Sequence, residues 1–166
     1  MYWNCGLRLS EVSNLNIDDI DLTEDRFKIY GKGNKERTGY LNARTKAALE
    51  EYLKIRKEMN INTDALFLSN YDKRISGTSL KRIVKIAYLL SNIENETYSA
   101  HTLRHTCATL LYRTGVNIKT IQVLLGHVQI DTTEIYTHLH NEEVRDAMLR
   151  HPLSKFKLAD ALAFCM

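Results

Sequence analysis

The chain has 166 residues, a formal net charge of +3, 44% hydrophobic side chains and 26% charged ones. That length suits one domain, and that apolar share can fill a core, which excludes a chain disordered by composition. No apolar run approaches the roughly 20 residues of a membrane helix, and the N-terminus MYWNCGLRLS lacks the basic and apolar regions of a signal peptide.

Three scattered cysteines, Cys5, Cys107 and Cys165, point to a reducing cytosol rather than a disulfide framework or a CxxC metal site. The charge is uneven. Residues 11–25 hold six acids and no base, bases dominate residues 26–57, and Lys73, Arg74, Lys81, Arg82 and Lys85 form a second basic cluster. Basic patches of this kind suit a polyanion, although solvated helix faces produce the same pattern.

In chain order, LSEVSNLNIDDIDL spaces Val12, Leu15, Ile17, Ile20 and Leu22 for a short helix that Ser10 can cap. RFKIYGKGNKERTGYL alternates on both sides of a Gly/Asn turn, a hairpin signal. NARTKAALEEYLKIRKEMN is an amphipathic helix, with Asn42 as its cap and Leu49, Tyr52 and Leu53 on one face. ALFLS reads as a short strand, and TSLKRIVKIAYLLSN as a helix with a basic polar face. HTLRHTCATLLYRTG is a helix closed by Gly115, and NIKTIQVLLG one opened by Asn117 and closed by Gly126. DTTEIYTHL and NEEVRDAMLR follow as short helices capped by Asp131 and Asn141. The expected fold is mainly α with a small antiparallel β-sheet (α+β).

Six polar residues are hard to assign by packing alone. Arg8 follows a Gly-Leu pair at a helix start, where backbone N–H groups and a guanidinium make an oxyanion site. It also fits as an ordinary helix arginine. Lys32 sits in the hairpin turn between two glycines, as many basic turns do. His101 and Arg104, at i and i+3, share a helix face. An arginine beside the apolar Leu103, Leu110 and Leu111 costs desolvation unless an anion meets it, and a structural ion pair is the ordinary alternative. His101 and His105 repeat the spacing of an HExxH zinc helix, but Thr102 stands where that motif has Glu, and no third ligand has a defined spacing. His127 follows Gly126, where the helix dipole favours histidine. Tyr136, nine positions later, fits a half-buried core position.

Together the six suit phosphoryl transfer. Two guanidiniums can neutralise a phosphodiester and its pentavalent transition state. A tyrosine can attack phosphorus. Histidine and lysine can move the protons.

The segments GLRLSEVSNLNIDDID, IYGKGNKERTGYL, HTLRHTCATLLYRTGVNIKTIQVLLGH and TTEIYTHL resemble the tyrosine recombinase (phage integrase) family, Xer and transposon-integrase members above all. The resemblance runs from Cys5 to Leu139. It implies that Arg8 and Arg104 clamp the scissile phosphate of double-stranded DNA. His101 would assist proton transfer from the nucleophile, and His127 would hydrogen-bond a non-bridging oxygen. Lys32 would protonate the 5′-hydroxyl leaving group. Tyr136 would form a 3′-phosphotyrosine, with no cofactor and no metal.

The family's recombination implies a tetramer on two DNA sites and a cytoplasmic location. Position 5 is Cys where the family usually has Thr. Members usually carry a core-binding domain and one or two helices before the first arginine, whereas Arg8 is seven residues from Met1. The expectation is therefore a catalytic domain at 1–150 lacking those parts, and a tail at 151–166. In that tail Leu158, Leu162 and Phe164 would face a packing partner in cis or in trans. The competing readings are a helix-turn-helix DNA-binding regulator built on residues 109–139, a type IB topoisomerase-like relaxase, and an inactive remnant.

Overall fold

The computed structural model describes residues 1–31, 36–92, 99–126 and 141–152, without the side chains of residues 2, 3, 141 and 142. The described chain begins with two short helices, α1 (Tyr2–Cys5) and α2 (Leu9–Asn14). Ser10 was expected to cap α2. It instead lies exposed in the first turn, because the helix starts two residues earlier, at Leu9, with Arg8 at the capping position. The Arg8 backbone N–H is satisfied by the Glu11 carboxylate three residues on, half of a capping box.

A 3₁₀ turn (Ile17–Asp19) leads into a three-stranded antiparallel sheet, β1 (Ile20–Asp21), β2 (Arg26–Tyr30) and β3 (Glu36–Tyr40), in that spatial order. The hairpin forms as the alternation implies. Phe27 and Ile29 point into the core while Arg26, Lys28 and Tyr30 face out. The register sets Ile29 opposite Arg37.

Helix α3 (Ala43–Glu58) opens with the Asn42 side chain accepting from the Thr45 N–H at 2.9 Å, and it buries Leu49 with Tyr52 and Leu53 packed alongside. In its last turn, buried Arg56 donates to the Ile61 and Thr63 carbonyls and folds the following loop back on the helix. ALFLS does not become a ladder strand. The Ile17 N–H donates to the Asp64 carbonyl and the Leu66 N–H to the Leu15 carbonyl, giving one isolated bridge between Asn16 and Ala65. A ladder cannot extend from it, because the partner chain turns into the 3₁₀ segment at Ile17. Leu66 is nevertheless fully buried.

The remaining described helices are α4 (Gly77–Leu90), α5 (Ala100–Arg113), α6 (Ile118–Leu125) and α7 (Asn141–Leu149). Helix α4 packs on α2 through Leu80 and Val84. Its outer side exposes Ile83, Ile86, Leu89 and Leu90 as well as Lys81, Arg82 and Lys85, so it is less cleanly polar than the sequence implies. Arg74, from the same basic cluster, donates to the Ser13 and Leu15 carbonyls and the Asn16 side chain. Its charge serves the fold there.

Asn117 caps α6 through the Lys119 N–H, and Gly126 ends it in the left-handed region. Helix α5 lies against α1 and α6, and α7 closes over α6 and β3. One continuous core, including Leu7, Leu15, Phe27, Leu111, Leu124 and Met148, joins all these elements. Cys5 and Cys107 are buried free thiols within it. Burial pushes the Cys107 thiol up to about 12, so it stays protonated and inert. Asp131 and the tail residues Leu158, Leu162 and Phe164 lie outside the described residues. No helix among the described residues is long and apolar enough to cross a membrane.

His151, just past α7, is fully buried, and that burial pulls its imidazole down from 6.5 to about 4. The neutral ring is therefore the form that folds. Between pH 6.5 and 4 the unfolded chain takes up a proton that the native state refuses, so stability falls as the pH drops through that window. Lowering the pH from 6.5 to 5 should remove about 2 kcal/mol through this group. Urea unfolding of wild type and His151→Gln across that range should show the difference. Equal pH slopes for the two would refute the assignment.

Candidate phosphate-binding site

The site is built where four distant pieces of chain meet. Gly6 adopts φ +61, which turns the chain from α1 into α2. A Cβ there would lie 2.4 Å from a Leu125 methyl and 3.3 Å from the Cys107 sulfur. Only glycine allows both the backbone angle and this close approach to α5 and α6. The turn presents the Gly6 carbonyl inward and places Arg8 at the head of α2.

Glu11, one turn into α2, is the centre of the arrangement, with a side chain 2% exposed. Its Oε1 accepts from Arg8 Nη1 at 2.9 Å. Its Oε2 accepts from the Arg8 N–H at 2.7 Å and from Arg37 Nη2 at 2.9 Å, and stands 3.9 Å from Arg104 Nη1. Burial alone would raise this carboxyl. The Arg37 charge, with the hydrogen bonds from Arg8 and Arg37, outweighs burial and holds it below the ordinary value of 4.5.

The same three arginines also hold the C-terminus of α6. Arg37 Nη1 donates to the Leu124 carbonyl at 2.8 Å, Arg104 Nη2 to the Leu125 carbonyl, and Arg8 Nη2 to the Gly126 carbonyl at 2.9 Å. A helix end leaves its last carbonyls without intrahelical partners, and the helix dipole is negative there. Three cations on three successive carbonyls answer both needs. Gly126 ends the helix at φ +63, and a Cβ on it would sit 2.6 Å from Arg37 Nε.

Arg104 reaches this point from the buried face of α5, where Nη1 also donates to the Gly6 carbonyl. Burial, and then repulsion from Arg8, pulls its guanidinium down to about 10, with Glu11 opposing. It remains charged at neutral pH. Three cations around one carboxylate leave an excess of two positive charges. Arg8 is the most open of the three, with 40% of its side chain exposed against 10% for Arg104. The arrangement can accept an anion of one or two charges, such as a phosphodiester.

Of the six residues singled out in the sequence, the structure brings Arg8 and Arg104 together on Glu11 and on adjacent carbonyls. His101 is exposed one turn before Arg104 on α5. Lys32, His127 and Tyr136 lie outside the described residues. Glu11 and Arg37 complete the cluster and were not anticipated. For Glu11 a signal existed, an acid three residues after a residue at a helix start. For Arg37 there was none.

Replacing Glu11 should be costly, because it leaves three arginines facing one another. Glu11→Gln, equal in size, should destabilise the fold by about 3 kcal/mol in urea unfolding at pH 7. Because the folded carboxyl is lowered, its contribution is present above pH 4.5 and is lost as the pH falls below that value. The variant should therefore show a shallower acid loss than wild type. A variant as stable as wild type would refute the central role of this carboxylate.

Comparisons with known proteins place the chain in a family. The model of the phage integrase family matches residues 1–143. Tyrosine recombinase XerC of Caldanaerobacter subterraneus subsp. tengcongensis is 48% identical over 157 residues, which is 93% of this chain and 44% of that protein. The crystal structure of XerA recombinase superposes with a TM-score of 0.73 at 35% identity, covering 91% of this chain and 55% of that one. XerH site-specific recombinase, solved as a post-cleavage complex with palindromic difH substrate, gives 0.67 at 30% identity, covering 88% and 42%. The chain thus spans about half the length of the relatives it matches. By sequence and by fold, the chain belongs to the phage integrase family.

Proposed function

We propose that this chain supplies the catalytic domain, residues 1–150, of a tyrosine-type site-specific recombinase. It would break and rejoin DNA strands through a 3′-phosphotyrosine intermediate. The observation that carries the reading is the convergence of Arg8 and Arg104 on one buried carboxylate and on adjacent helix-end carbonyls, with two positive charges in excess. Such a cluster suits a single phosphodiester. The relatives named as tyrosine recombinases, and the XerH complex with its difH substrate, support the same reading.

In this mechanism Arg8 and Arg104 bind the non-bridging oxygens of the scissile phosphate. The Tyr136 oxygen attacks phosphorus as the bond to the 5′ oxygen breaks. His101 helps remove the tyrosine proton, His127 hydrogen-bonds the phosphoryl group, and Lys32 protonates the leaving 5′ oxygen. The phosphodiester energy is kept in the tyrosine ester. A 5′-hydroxyl from a second strand reverses the step without a nucleotide cofactor. Double-stranded DNA is the substrate, and exchange between two sites requires a tetramer. A helix-turn-helix regulator is the weaker reading, since it leaves Arg8 and the carboxylate-centred cluster without a purpose.

The test is covalent trapping on a pool of nicked duplexes of randomised sequence. Wild type should form an adduct resistant to denaturation, and Tyr136→Phe should form none. Arg104→Lys keeps the charge but gives up the fork, and should slow trapping by about 100-fold. An adduct that persists in Tyr136→Phe would overturn the nucleophile.

A further inference from the structure

Arg37 stands outside the catalytic set yet touches more of the cluster than the hairpin needs. It comes from β3, opposite Ile29, and its side chain is 19% exposed. One fork nitrogen meets Glu11 Oε2 at 2.9 Å and the other the Leu124 carbonyl at 2.8 Å. That same carboxylate oxygen is the one 3.9 Å from Arg104 Nη1. Two guanidiniums thus lie within reach of one oxygen, and Arg37 is the one bonded to it. The close approach of Gly126 to Arg37 Nε shows that the shaft is wedged beneath the last turn of α6, so the guanidinium has little room to leave.

A largely buried arginine closed onto a carboxylate is a poor anion receptor, because its charge is neutralised and little of it faces solvent; Arg8, paired with the other carboxylate oxygen, differs in that 40% of its side chain is exposed. Without Arg37, Glu11 Oε2 would lose its partner and Arg104 would be the nearest replacement. The excess positive charge would also fall from two to one.

We infer that Arg37 is a positioning residue that occupies Glu11 and the end of α6, so that the Arg104 guanidinium, held by the Gly6 and Leu125 carbonyls, stays out of a closed ion pair and keeps its charge and remaining N–H donors for the substrate phosphate. This rests on the recombinase reading above. It assigns a job to a strand residue outside the six that the recombinase reading uses.

The two ways Arg37 can affect cleavage are separable. Acting through the phosphate clamp, its loss affects any leaving group. Acting only through the hairpin that carries Lys32, its loss should be cured by a 5′-bridging phosphorothiolate, whose sulfur leaves without a proton. Covalent trapping should therefore be run on ordinary and phosphorothiolate DNA with wild type, Lys32→Ala, Arg37→Ala and Arg37→Lys.

Arg37→Ala should lose about 100-fold on both DNAs, a typical cost for one misplaced transition-state donor. Lys32→Ala should recover on the phosphorothiolate. Arg37→Lys, which keeps a cation for Glu11, should retain more activity than Arg37→Ala. Trapping by Arg37→Ala at the wild-type rate, or its recovery on phosphorothiolate DNA, overturns the proposal.

The Arg104 Nε–H signal in the NMR spectrum of the DNA-free protein gives a second readout. It should move in Arg37→Lys, and in Arg37→Ala if that variant folds; an unmoved signal overturns the proposal. If wild type traps no duplex at all, the recombinase reading fails instead, and the NMR arm still decides whether Arg37 controls Arg104.

Discussion

One buried carboxylate and the open end of one helix hold this site together. Glu11 draws three guanidiniums inward, and the last carbonyls of α6 give each a second attachment. Neither attraction suffices alone. Three cations without Glu11 repel one another in a region that burial makes poor in water, and Glu11 without its arginines is an unpaired buried charge. The attachments join α2, β3, α5 and α6, so this crowded set of charges also links the layers.

The arrangement accepts a cost. Arg104 and Arg37 are both pulled down by burial before any partner is counted, and Arg8 adds repulsion to each. A carboxylate for every guanidinium would relieve that strain and leave no attraction for an incoming anion. The excess of two charges is thus where fold stability and attraction for an anion oppose each other.

Much of the fold was legible because its signals are local. Asn42, Asn117 and Gly126 act within a turn of where they stand, and the hairpin alternation is resolved within a dozen residues. The failures were equally local. Ser10 has the chemistry of a cap, but Glu11 reaches the Arg8 N–H first. ALFLS has the composition of a strand, but its neighbour bends away after one bridge. In the site, Arg8 and Arg104 could be picked out because the segments that carry them are recognisable patterns. Arg37 could not, because its partners are 26 and 87 residues away and an alternating strand read alone assigns it to the solvent face. Tertiary charge pairing of that range leaves no mark in a window of sequence.

The attachment of three guanidiniums to Leu124, Leu125 and Gly126 has a kinetic meaning. Like charges are brought together once, as the polypeptide folds, and secured to the rim of a single helical turn. The three guanidiniums are then already in place for any anion that arrives later.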